Sequence, residues 1–100
     1  MDEIKEKCEQ HARACYVAVN DLVVRTLDKM APLIRAGAEM PEKFAATDAW
    51  FKAQDAIEQA VADCNLRKVE MLCAEYESRA RKYCDSVIAQ MEKTLRGQAA

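Results

Sequence analysis

Positions Ile4, Cys8, His11, Cys15, Ala18 and Leu22 follow a 4-3-4-3-4 rhythm, the signature of one helical face. Val19, Val23, Met30 and Ile34 continue that stripe, and Leu27 and Leu33 widen it. Near the other end, Leu66, Val69, Cys73, Tyr76, Ala80, Tyr83 and Val87 keep a 3-4-3-4-3-4 spacing, with Cys84, Ile88, Met91 and Leu95 alongside. Between them runs a third stripe, Trp50, Ala53, Ile57, Val61 and Cys64. Carried onward, its phase reaches Lys68, Met71 and Glu75, so the seam slips by about two positions around "VADCNL". Asp63 and Asn65 are good N-cap residues and suit a tight turn there. A continuous helix with a stutter accounts for the same slip.

Helix breakers divide the chain further. Gly37 and Pro41, in "IRAGAEMPEKF", form the main interruption, because glycine ends helices and proline suits a first helical position. This predicts a first helix over about 2–36, a turn at 37–41, a second helix over 42–63 and a third over 65–96, or one helix continuous through the last two. Pro32 should kink the first helix or end it a turn early. Thr47 reads as an N-cap for the helix carrying Trp50, with 41–46 as a lead-in turn, and Gly97 should close the last helix. The expected fold is all-α, a single domain over 1–100. It is either an antiparallel helical hairpin or a three-helix bundle with long coiled-coil-like helices.

If the chain folds back near residue 39, level residues have numbers summing to about 78. That register sets Cys15 opposite Cys64 and Cys8 opposite Cys73. It also leaves apolar overhangs. A hairpin strands Tyr76 to Leu95, while a bundle strands Ile4, Cys8 and His11 at one end and Val87 to Leu95 at the other. Apolar stripes of that size are rarely left in water, so a partner chain is expected to cover them. The expected interface is Trp50, Phe51, Tyr76, Tyr83, Val87, Met91 and Leu95. Trp50 and Phe51 are helix neighbours about 100° apart, so one of them should face outward or into the partner. On this reading Trp50→Ala weakens partner binding more than it lowers monomer stability.

Composition narrows the function classes. Of 100 residues, 51% are hydrophobic and 32% charged, with only two Gly and two Pro, which is a helical composition. A formal charge of −2 gives no clustered positive field for nucleic acid. No apolar run approaches a membrane span, and "MDEIKEK" lacks a signal-peptide core, so the expectation is a soluble chain, cytoplasmic or mitochondrial. One His and two Gly cannot build a Ser/His/Asp set or a Gly-rich phosphate loop, and no Glu-x-x-His occurs. No enzyme, cofactor or small-molecule substrate is therefore expected.

The cysteines hold the remaining chemistry. Five of them are separated by 6, 48, 8 and 10 residues. Cys8, His11 and Cys15 share a helical face, and two thiolates with an imidazole would suit zinc, with Cys73 or water as fourth ligand. The same three positions carry the core stripe, where free cysteine behaves as a small hydrophobe. "KEKCEQHARAC" resembles the helical hairpins, stapled by two disulfides, of the mitochondrial intermembrane space, including the acidic hinge subunit of the cytochrome bc1 complex. That class spaces paired cysteines by nine residues, which this chain does not. The resemblance implies bridges among Cys8, Cys15, Cys64 and Cys73 and an intermembrane-space location. "DCNLRKVEMLCAEY" is similar to the start of the last helix of tubulin-binding cofactor A, which implies a small helical chaperone. Core packing ranks first for the cysteines, disulfides second and metal third. The expected function is a non-catalytic helical interaction module, an accessory or assembly subunit of a larger complex or a homo-oligomer.

Overall fold

The computed structural model describes residues 2–99 and contains three helices, α1 (Asp2–Arg35), α2 (Asp48–Ala62) and α3 (Leu66–Ala99). No strand occurs among the described residues. The fold is all-α, a rod of 61 × 20 × 17 Å.

Local chemistry explains each helix end. Gly37 at φ 111° takes the left-handed position after α1, with Gly37 N–H bonded to the Ile34 carbonyl and Ala38 N–H to that of Leu33. This is the Schellman closure, and its usual apolar contact is present because Ala38 and Leu33 share one hydrophobic cluster. Pro32 does not stop α1, which continues three residues past it. It lacks only the one N–H that would bond to the carbonyl of Asp28, an exposed residue of α1. The second helix starts at Asp48 rather than near 42, because the Thr47 hydroxyl accepts from Trp50 N–H at 3.2 Å and caps it there.

Turn 63–65 has the same closure as the end of α1, with Cys64 in the glycine position. Cys64 N–H bonds to the Val61 carbonyl and Asn65 N–H to that of Ala60, at a Cys64 φ of 54°. A side chain in that conformation costs about 1–2 kcal/mol. Asn65 then caps α3, its Oδ1 accepting from Lys68 N–H at 3.2 Å. The slip in the apolar seam has its cause here, since α2 and α3 are separate helices with independent phases. Gly97 lies within α3 rather than ending it. A Cβ there would meet nothing within 4 Å, and a helical glycine's penalty of about 0.5–1 kcal/mol is too small to stop the helix.

Because α2 returns along α1 and α3 reverses again, α1 and α3 run parallel. The Cys15 Sγ lies 3.7 Å from the Cys73 carbonyl oxygen, so facing residues are 58 apart in sequence. A lower core joins Cys8, Ala12, Cys15 and Val19 of α1, Ile57, Ala60 and Val61 of α2, and Val69, Cys73, Tyr76 and Ala80 of α3. The short α2 stops covering the α1/α3 groove partway up. Above it the strap 36–47 takes over, and Ala38 and Phe44 close a second core around Met30, Val87 and Met91. The expected register therefore changes. Residues 36–47 are not helical and can span up to about 3.3 Å each against 1.5 Å in a helix. α2 consequently starts lower along α1, and the 63–65 turn is carried down to the level of Cys8.

Candidate functional site

That register covers most of the expected overhangs, although Ile4 and His11 stay exposed. Cys8 is fully buried, and Val87 and Met91 are buried against Met30 and Ala38 of the same chain. The expected partner interface is thus mostly internal. Tyr76 is buried, and Trp50, Tyr83 and Leu95 are half-buried within the two cores. Trp50 meets Tyr76 and Tyr83 edge to face, with ring centroids 5.6 and 5.7 Å away, and Phe44 stacks on Tyr83 at 5.7 Å. Tyr76 accepts a 2.9 Å hydrogen bond from Gln54 Nε2, and Tyr16 donates one of 2.6 Å to Glu58. Of the seven residues expected at an interface, Phe51 alone is classed as exposed. It stands singly, as surface hydrophobes commonly do.

A different apolar surface is open. Val17 is 56% exposed, Val24 48%, Leu27 38% and Ile34 41%. With Asn20 and Ala31 they complete the series 17, 20, 24, 27, 31, 34, which repeats every seven residues along about 26 Å of α1. Asp21 and Asp28, both exposed, border this second seam on the side away from Val23 and Met30. The periodicity reading missed it by merging Leu27 and Ile34 into the core stripe. Two sequence signals separate the seams: Val17, Val24 and Ala31 recur at intervals of seven, as do Asn20, Leu27 and Ile34. The true core of α1 is the neighbouring series Cys8, Ala12, Cys15, Val19, Thr26, Met30. Thr26 enters it because its hydroxyl donates to the Leu22 carbonyl at 2.7 Å, so its own polar atom is paired.

No disulfide joins the five cysteines in the structure, where Cys8, Cys15, Cys73 and Cys84 are buried and Cys64 is exposed. Cys15 does not meet Cys64, and the expected pairing of Cys8 with Cys73 is also displaced. It is Cys15 and Cys73 that face one another. Burial pushes the thiols of Cys15, Cys73 and Cys8 upward from the ordinary value, reinforced at Cys15 by the Cys73 thiol and at Cys8 by the nearby Cys64, Glu70 and Glu9. These are protonated sulfurs in apolar surroundings, the opposite of an activated nucleophile. The zinc reading of Cys8, His11 and Cys15 fails on geometry. His11 is exposed while both sulfurs are buried, and no three His, Cys, Asp or Glu side chains among the described residues are placed to hold a metal.

A groove of about 780 Å3 between the strap and α3 is lined by Glu39, Glu42, Met91 and Thr94 among others, with no histidine or cysteine. Among the described residues no helix is long and apolar enough to cross a membrane. Compared with known proteins, the chain matches no family model, no curated protein and no solved structure.

Proposed function

We propose that this protein is a non-catalytic helical interaction module, an accessory or assembly subunit that docks a partner helix along the outer seam of α1. The observation that carries the reading is the heptad-spaced exposure of Val17, Val24, Leu27 and Ile34 on a helix whose other face is already satisfied by its own chain. A seven-residue repeat favours left-handed helix pairing, and covering the seam gains about 25 cal/mol per Å2 of apolar area. Asn20 sits within the seam, where a polar residue sets register at some loss of affinity.

Charge selects the partner. Asp21 and Asp28 line one edge of the seam, with Arg35 one heptad further on, so a helix that sets Lys or Arg opposite the two aspartates fits it. An antiparallel second copy would set Asp21 opposite Asp28 twice and is disfavoured. The raised thiols and exposed His11 support the absence of catalysis.

The double variant Val24→Glu/Leu27→Glu tests this. Both sites are exposed, so the circular dichroism spectrum and melting temperature should stay close to wild type. Sedimentation of the tagged chain in extracts of cells that make it should show the large assembly lost and affinity weakened at least about tenfold. An assembly of unchanged size with the variant overturns the reading. Loss of a dimer formed by the purified chain alone would make the occupant a second copy.

A further inference from the structure

Two cysteines far apart in sequence and facing each other across parallel helices form more than a packing contact. Cys15 is 2% exposed and Cys73 1%, and the Cys15 Sγ reaches to 3.7 Å from the Cys73 carbonyl oxygen. The sulfur of one helix thus touches the backbone of the other. The surrounding seam explains so close an approach, because Ala12, Cys15, Cys73 and Ala80 are all small. A disulfide asks for Cβ atoms about 3.8 Å apart, a close approach of the kind this seam of small residues permits.

We propose that Cys15 and Cys73 are an oxidisable pair that closes a disulfide between α1 and α3 at the expense of a small-molecule disulfide such as oxidised glutathione. One thiolate attacks the external disulfide, forming a mixed disulfide and releasing a small thiolate. The second protein thiolate attacks the protein-bound sulfur and expels the other small thiolate. Two protein thiols and one small disulfide become one protein disulfide and two small thiols. The two protein protons end on the released thiolates, and the external disulfide takes both electrons.

Burial decides when this happens. Inside the closed seam both thiols are held protonated and shielded, so the bond forms while the helices are apart, during folding or transient opening. Once formed it is buried and closes a loop of nearly sixty residues, long enough to constrain the unfolded chain strongly. Cys84 is no part of the lower core, and Cys8 has exposed Cys64 of the 63–65 turn as its cysteine neighbour, outside the α1/α3 seam. The pair is independent of the docking seam, which lies on another face of α1.

Alkylation of the native protein cannot read this state, because it labels exposed Cys64 whether or not a bond exists elsewhere. The test is therefore refolding of the full chain from urea in a glutathione redox buffer, followed by unfolding, alkylation and tryptic mapping. The five cysteines fall on five different tryptic peptides, since Arg13 separates Cys8 from Cys15 and Lys68 separates Cys64 from Cys73. The expected product joins peptide 14–25 to peptide 69–79, with Cys84 alkylated. Its melting temperature should exceed that of the reduced protein by more than about 10 °C. The variant Cys15→Ala should fold, as its circular dichroism will show, and lack both the linkage and the temperature difference. Five alkylated cysteines after refolding, or linkage confined to other pairs, would overturn the proposal and leave Cys15 and Cys73 as packing alone.

Discussion

Trp50→Ala lowers the unfolding free energy by about 3 kcal/mol, while Phe51→Ala, one residue on, changes it by less than about 0.5 kcal/mol. The contrast follows from where α2 points each ring. Trp50 is wedged edge to face between Tyr76 and Tyr83, and removing it opens a hole beneath Phe44 and beside the Gln54–Tyr76 hydrogen bond. Phe51 is half in water and joins neither core. Urea melts followed by circular dichroism at 222 nm measure both variants. Equal losses would mean that the indole is not part of the core. The result also reverses an expectation from the sequence, since damage at Trp50 should register in monomer stability before it registers in partner binding.

Raising the pH from 8 to 10 lowers the stability of the fold through Cys15 and Cys73. Burial is the first cause of the upward shift at both thiols. The unfolded chain starts to release these protons near its ordinary value of 9.0, whereas the folded chain retains them. Between those two values the folded state binds more protons, so stability is complete below about pH 9 and falls as the pH rises. Tyr16 and Tyr76 add to the loss above pH 10, both raised first by burial and Tyr16 further by the Glu58 carboxylate. Chemical denaturation at pH 7, 8, 9 and 10 under reducing conditions gives the profile. The double variant Cys15→Ala/Cys73→Ala should flatten its first limb, and an unchanged slope in that variant would disprove the assignment.

The fold class was legible because it rests on local signals. Period-3.6 stripes, the cap at Thr47 and the glycine closure at Gly37 are each written within a few residues. Register was not legible, for a physical reason. It depends on how far residues 36–47 descend along α1, and a non-helical segment has no fixed rise. That one unknown moved Cys15 from Cys64 to Cys73, about 13 Å along α3. It also turned Val87, Met91 and Tyr76 from a supposed interface into core. The outer seam of α1 was present as a heptad, but two apolar series on one helix overlap at Leu27 and Ile34. Only knowledge of which side meets α3 separates them. Asn65 and Cys64 illustrate the remaining difficulty. The cap is a common residue in its common place, whereas a cysteine in a left-handed turn is a choice no propensity scale favours.

Parallel pairing of α1 with α3 has a consequence for how the chain comes off the ribosome. The side of α1 that faces α3 waits for partners translated about 58 residues later, and Met30, met early by Ala38 and Phe44, still waits for Val87 and Met91. At about 5–20 residues per second, that side of α1 stays bare for roughly 3–12 s.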